Sequence, residues 1–341
     1  MNGREKKKSS LDARREGISC ETNLGFWKKL KKPVLILAPM ANVTDAAFRC
    51  LFAKYGKPDV FWTEFVSVEA LCGKGKANAL LDLTYSKKEH PIIAQVFGSN
   101  PKTFRKAARI IEKLGFDGID INMGCPDKNI EKSGAGAALM KNPSLAKEII
   151  EETAKGTTLP VSVKTRIGYG KDITEEWVGE LLKARPAAII LHARTRREMS
   201  SVPANWDAVR KAVEVRNKAK SKTLIIGNGD VESIEDARKK ARVTGCDGIM
   251  FGRGVFGNPW FFKGKKLQDI DIRTRLKVMC EHAALFEKLF KGKKNFAVMK
   301  KHFKAYTSGF KGAKELRMEL MRTENAKDVK EKIRQLTKYL R

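Results

Sequence analysis

The chain has no cysteine pair at C-x-x-C spacing: its six cysteines stand apart at positions 20, 50, 72, 125, 246 and 280. That scatter argues against zinc, iron–sulfur clusters and a disulfide framework, and suits a reducing cytosol. No run of eighteen or more apolar residues occurs, so no membrane-spanning helix is expected. The opening stretch Met-Asn-Gly-Arg-Glu-Lys-Lys-Lys carries the charges of a secretion signal without the apolar segment that should follow. A cytoplasmic protein is therefore expected. The first apolar run is not followed by the G-x-G-x-x-G of a doubly wound dinucleotide fold. Acidic charge is scarce: 39 Asp and Glu face 69 Lys and Arg, a formal net charge of +30. With 42% hydrophobic residues in 341, the chain nevertheless has material for a sizeable core, which excludes wholesale disorder.

The basic excess is uneven. Residues 1–32 hold 10 basic and 4 acidic groups, residues 33–262 hold 36 and 26, and residues 263–341 hold 23 and 9. The net charges are thus +6, +10 and +14, nearly half of the total lying in the last 79 residues. Three readings fit: a solvated surface, a site for a polyanion such as a phosphate backbone, and, least well, a membrane surface.

Short apolar or β-branched runs bounded by Gly, Pro or Asp fall at 34–38, 59–65, 92–97, 118–122, 161–165, 187–192, 223–227 and 248–251. Most are continuously apolar, as parallel strands covered on both faces are. Helix-like stretches at 101–114, 143–155 and 232–243 lie between them, the first opening on Pro101 and closing at Gly115. Eight strand-then-helix units in about 230 residues predict an α/β fold, a (β/α)₈ TIM barrel over residues 33–262. Residues 1–32 read as a basic N-terminal arm. Residues 272–291, 295–309 and 313–340 read as helices of a small basic C-terminal domain, 263–341.

In such a barrel the chemistry gathers at the carboxyl ends of the strands. The residues there are Pro39-Met40-Ala41, Glu64, Gln95, Asn122, Lys164, His192, Asn228-Gly229-Asp230 and Gly252-Arg253. Each could simply be a strand reaching solvent, but as a set they read as a concave polar site. The turns after strands seven and eight are where barrels commonly hold a phosphate, Gly letting the backbone approach and Arg253 supplying charge. Lys164 fits a Schiff base, a cation facing an anionic cofactor, or an ion pair at the mouth. Cys125 lies between Gly124 and Pro126 in the loop after the fourth strand, facing the mouth. Its thiol could serve as proton donor as readily as nucleophile.

With these motifs in order, the chain resembles the tRNA-dihydrouridine synthase family over about residues 33–320. The matching segments are Leu-Ala-Pro-Met-Ala-Asn-Val-Thr-Asp-Ala-Ala-Phe-Arg (37–49), Gln-Val-Phe-Gly (95–98), Asn-Met-Gly-Cys-Pro (122–126), Val-Lys-Thr-Arg (163–166), His-Ala-Arg-Thr-Arg (192–196), Gly-Asn-Gly-Asp (227–230) and Gly-Arg-Gly (252–254). The resemblance implies an FMN-binding barrel followed by a helical tRNA-binding domain. It implies that Pro39, Met40 and Ala41 line the flavin, that Gln95, Lys164 and His192 contact its ring system or ribityl chain, and that Asn228, Gly229, Asp230, Gly252 and Arg253 hold its phosphate end. Cys125 matches the general acid, and Lys164 then reads as an electrostatic partner of the flavin. The implied reaction takes hydride to C6 and a proton from Cys125 to C5 of a uracil drawn out of folded tRNA, with NADPH or NADH as reductant. Asn122 is a candidate to hold the uracil edge, and Arg194 and Arg196 to hold tRNA phosphates. A monomer without metal is expected.

The family usually has Gly at the position of Ala193 and often a Tyr-x-Gly element where this chain has Ser-Ser-Val-Pro-Ala-Asn-Trp (200–206). That departure bears on the substrate-side loop rather than on the flavin. Basic and aromatic residues interleave over 299–317, and the spacing of Phe303, Tyr306 and Phe310 predicts rings in a helix core with lysines outside. Two other readings remain at this point: an FMN barrel acting on a free pyrimidine, against which the basic tail counts, and a non-catalytic tRNA-binding protein, against which Cys125 and the flavin set count.

Overall fold

The computed structural model describes residues 21–290 and 292–337. Its sheet has eight strands, β1 Val34–Leu37, β2 Phe61–Ser67, β3 Ile92–Phe97, β4 Gly118–Met123, β5 Val161–Arg166, β6 Ala188–His192, β7 Leu224–Asn228 and β8 Gly248–Phe251. They run parallel in the order β1-β8-β7-β6-β5-β4-β3-β2. The ring closes between β1 and the residue before β2, where Ile36 bridges Val60 and the Leu37 amide donates to the Val60 carbonyl at 3.2 Å. Each strand lies within two residues of its expected place.

The strands read as continuously apolar because both faces are covered, yet the two faces differ in what covers them. Ile119, Ile121, Val161, Val163, Ile189, Leu191, Ile225 and Ile249 point outward into the layer shared with the helices. Val34, Ile36, Trp62, Ile190, Ile226 and Met250 point into the barrel and fill its lower end. The outer helices are α1 Ala46–Tyr55, α2 Val68–Cys72, α3 Lys76–Asp82, α4 Pro101–Lys113, α5 Lys128–Lys132, α6 Pro143–Gly156, α7 Thr174–Lys183, α8 Trp206–Lys218 and α9 Ile234–Thr244. Polar caps start most of them: the side chains of Asp45, Asn100, Asn142, Asn205 and Ser233 accept from first-turn amides that have no intrahelical partner.

The expected basic arm is corrected in part. Residues 1–20 lie outside the described residues, but Gly25–Lys29 form a single turn whose Trp27 is buried beside Trp62, ring centroids 6.0 Å apart, and plugs the bottom of the barrel. This segment belongs to the barrel because an indole fills the tapering lower lumen that the short strand side chains leave. Gly25 adopts φ +46, and a Cβ there would stand 2.8 Å from the Pro160 ring.

Beyond the barrel lie α10 Ile272–Phe290, α11 Lys300–Tyr306, α12 Ala313–Leu320 and α13 Ala326–Thr337. The stretch 313–340, expected as one helix, is two within its described part. At the break the Thr323 hydroxyl donates back to the Leu320 carbonyl at 2.7 Å and Asn325 receives the Asp328 amide at 2.9 Å, opening a new helix. Phe303 and Tyr306 are buried, as their spacing predicted. The helices share a core with Ala46, Ala47 and Leu51 of α1 and with Trp260, so this domain is seated on the first barrel helix.

Candidate active site

Strand register gathers the polar residues. Asn122 pairs with Lys164 across β4 and β5, Arg166 with His192 across β5 and β6, and His192 with Asn228 across β6 and β7. Their outward neighbours Ile121, Val163, Leu191 and Ile225 face the helices, so alternation turns these polar side chains into the upper lumen.

One hydrogen-bond chain fixes the loop that carries Cys125. Ser162 Oγ donates to Asp120 Oδ1 at 2.6 Å, Gln95 Nε2 to Asp120 Oδ2 at 2.7 Å, and Asn122 Nδ2 to Gln95 Oε1 at 3.1 Å. Asn122 Oδ1 then accepts from the amides of Gly124, at 3.1 Å, and Cys125, at 2.9 Å. The Cys125 carbonyl is tied from the far side by the Ala137 amide at 3.0 Å. Gly136, at φ +60, lets that strand of the loop pass, since a Cβ there would lie 2.8 Å from the Cys125 oxygen. Asn122 thus orients the thiol loop and has one amide N–H left to donate to a ligand.

The mouth is electropositive. Burial, with the Arg166 charge beside it, lowers Lys164 to about 8, while Asp120 and Cys125 pull it back up. Burial raises Asp120 to about 6 against the Ser162 and Gln95 hydrogen bonds and the Lys164 charge. Burial, followed by Lys164, Arg166, Arg194 and Arg253, holds His192 down to about 2, so the imidazole is neutral. Arg194 Nη1 lies 3.2 Å from His192 Nε2, and arginine only donates, so Nε2 accepts and Nδ1 carries the proton. Burial also pushes the Cys125 thiol up, against the Asp127 amide and the Lys164 and Arg166 charges. At neutral pH it therefore stands protonated.

Two expected phosphate clamps are absorbed by the fold. Arg194 is 3% exposed, donates to the Val202 carbonyl at 2.6 Å and pairs with the Asp230 carboxylate. Arg196 forks onto Glu131, with Nε 2.9 Å from Oε1, and lies over the Tyr169 ring at 5.4 Å. These contacts tie the loop 194–204 to its neighbours. Asp230 is tied into the same loop: Arg194 holds its carboxylate deprotonated, and it accepts the Ala204 amide at 2.8 Å. Asn228 turns its amide to the Met250 carbonyl at 2.8 Å, and Gly229, at φ +127, passes between Ala204 and the His192 ring. Arg253 is exposed and without an ion pair among the described residues, and Gly252 faces open space with Met40 the nearest group at 3.9 Å. Pro39 and Met40 are half-buried and Ala41 is exposed, in a loop tied by the Met40 amide to Thr44 Oγ1 at 2.9 Å.

Arg166 was quoted in its motif but given no role by sequence reasoning. Its guanidinium spans the Gly124, Thr195 and Met199 carbonyls at 2.9 to 3.0 Å, joining the Cys125 loop to the 194–204 loop. Asp120 and Ser162 were also missed, although the alternation in Gly-Ile-Asp-Ile-Asn and Val-Ser-Val-Lys-Thr-Arg marks them as facing inward with Asn122 and Lys164.

The Lys164 ammonium has no hydrogen-bond partner among the described residues and lies within the field of Asp120, Cys125 and Arg166. A buried-side cation left open at a barrel mouth, with Gly252 and Arg253 at the phosphate-binding turn, fits an anionic ring-and-phosphate cofactor such as a flavin mononucleotide.

Fold and site define a (β/α)₈-barrel protein with an anion-receptive mouth and a protonated thiol at its rim. The family model for dihydrouridine synthase matches residues 36–340, and the chain belongs to that family. It is 39% identical over 303 residues to a probable tRNA-dihydrouridine synthase of Staphylococcus aureus (strain Mu50), covering 88% of this chain and 92% of that one. It is 40% identical over 309 residues to probable tRNA-dihydrouridine synthase 2 of Bacillus subtilis (strain 168), covering 89% and 94%. Among solved structures it is similar in fold to histamine dehydrogenase from Rhizobium sp. 4-9, with TM-score 0.52 and 14% identity, over 74% of this chain and 48% of that one.

Proposed function

We propose that this protein reduces the C5=C6 bond of specific uridines in tRNA to 5,6-dihydrouridine, with FMN as cofactor and NADPH or NADH as reductant. Bound FMN supplies the hydride for C6 of the uracil. Lys164 and the Nδ1–H of His192 would hold its ring system or ribityl chain, the Pro39–Ala41 loop would line it, and the Gly252 backbone and Arg253 would receive its phosphate. Gln95 stands at the same level, oriented by Asp120. The Cys125 thiol gives its proton to C5. Its raised pKa keeps the proton in place until carbanion character develops on the substrate, while the nearby Lys164 and Arg166 charges stabilise the thiolate left behind. The N–H of Asn122 that Gln95 leaves open is the candidate to hold the uracil edge. The protein is proposed to act as a monomer in the cytoplasm; no helix among the described residues is long and apolar enough to cross a membrane.

The observation that carries this reading is the thiol loop locked by Asn122 in register with an open Lys164 ammonium. Purified protein should bind FMN and, with NADPH and an unmodified tRNA transcript, yield dihydrouridine detectable by mass spectrometry of the digested RNA. A preparation that cannot be loaded with FMN, or loaded protein that leaves every uridine intact, contradicts the reading.

A further inference from the structure

Three carboxylates on barrel elements, Asp45, Glu64 and Asp82, are joined through one lysine beside the Pro39–Thr44 loop. Glu64 lies in β2, one residue before Phe65, which pairs with Gln95 of the site. Asp82 ends α3. Asp45 caps α1 directly after the Pro39–Thr44 loop, and its second oxygen, Oδ2, is buried without a hydrogen-bond partner. Among the described residues one cation makes an ion pair with this group, and the helical domain supplies it. Lys294, just beyond α10, places Nζ 3.0 Å from Glu64 Oε2 and 2.7 Å from Asp82 Oδ1, after crossing the Phe290 ring at 4.7 Å. The Lys294 and Glu64 side chains are 15% and 6% exposed, so water screens this pair weakly. The burden on the group shows in Asp45, which burial and Glu64 raise to about 6 while Lys294 draws it down.

We propose that Lys294 is a positioning residue for the RNA substrate: by neutralising Glu64 and Asp82, the helical domain removes a negative potential that would otherwise hold a polyanion off the barrel mouth. The inference rests on the proposed function, since it takes tRNA as the substrate. A second link joins the same two bodies, Glu281 of α10 to Lys54, at 2.6 Å, and to Tyr55, at 2.6 Å, but it lies at the far end of α1 and is partly exposed. It serves as the control for mere bracing.

The test measures the KM and kcat for an unmodified tRNA transcript, and transcript binding by fluorescence anisotropy, with full-length FMN-loaded protein. K294M is expected to raise KM and the dissociation constant by about tenfold or more, kcat staying within about twofold, and the loss should shrink at high salt. E64Q removes a carboxylate, so it should bind the transcript as well as the parent or better, and E64Q/K294M should recover most of the K294M loss. E281Q should leave binding unchanged. A brace predicts instead that E64Q and K294M both weaken binding and that the double variant is no better; that pattern, or an unchanged KM in folded K294M, overturns the proposal. Failure of the parent protein to bind or reduce the transcript would strike the proposed function itself, whereas a parent that works and a K294M that matches it strikes only this inference.

Discussion

Cys125 is held chiefly through its backbone. Asn122 accepts its amide, the Ala137 amide binds its carbonyl, and Arg166 grips the preceding carbonyl of Gly124. This fixes where Sγ points, the requirement for a donor that must meet a ring carbon at hydrogen-bond reach. Cys125→Ala should therefore retain bound FMN, seen in its absorbance, and lower the rate of dihydrouridine formation by about 10²- to 10⁴-fold. Equal product from the variant would remove the acid role. Asn122→Ala frees two amides and unlinks Gln95. It should slow the reaction at unchanged FMN content and raise hydrogen exchange at Gly124 and Cys125, and an unaltered exchange pattern would show the loop is held by other means.

Among the elements, α10 and α11 meet in a polar contact unusual for a core. His282 and His302 are both buried, their ring centroids 4.5 Å apart, with Phe48 of α1 5.3 Å from His302. His282 reaches only the Tyr306 hydroxyl, at 3.5 Å, and both nitrogens of His302 lack partners. Burial holds His302 down to about 3 and His282 well below its ordinary 6.5, the neighbouring histidine adding to the second shift. Folded-state values below the unfolded ones mean that the unfolded chain binds more protons. Stability is then complete above about pH 6.5 and falls as pH drops toward 3, by about 1.4 kcal/mol per unit for each ring. Asp45 and Asp120, raised to about 6, act in the opposite sense as pH falls from 6 toward their ordinary 3.8. The histidine effect is therefore best read as a difference: His302→Phe should flatten the decline of melting temperature between pH 7.5 and 5. Parallel declines in the two proteins would show that His302 does not titrate on unfolding.

For the molecule as a whole, charge and chemistry are kept apart. The barrel mouth holds Lys164 and Arg166, and the C-terminal helices carry exposed lysines. On α11, Lys301 and Lys304 face solvent while Phe303 and Tyr306 face the core. If the proposed tRNA substrate lies along these helices, such lysines would add affinity through counterion release and not through base contacts. K301E/K304E should weaken transcript binding, reduce the slope of log affinity against log salt by about two, and leave FMN content unchanged. An unchanged slope would place the RNA on another face.

The strand series, the turn motifs and the tail's charge were all legible in the sequence, because each is local. Parallel strands need apolar runs of a set length, phosphate turns need Gly next to a cation, and a helix core shows its spacing. The alternation that turns Asp120, Asn122, Ser162, Lys164 and Arg166 inward was legible too, since it needs only the strand's period of two. What local pattern could not supply is which charges meet. Arg194 and Arg196 were expected at tRNA phosphates and Asp230 at the cofactor's phosphate end, and their ion pairs, Arg194 to Asp230 and Arg196 to Glu131, are not visible in the chain, nor is Lys294 crossing 230 positions to Glu64. Such pairs depend on where distant segments come to rest, and a guanidinium or ammonium carries the same letter whether it faces solvent or a buried carboxylate. The sequence by itself determined the barrel and its family; only the tertiary structure decided which cations stay free for a ligand, because that is settled by what packs against each one.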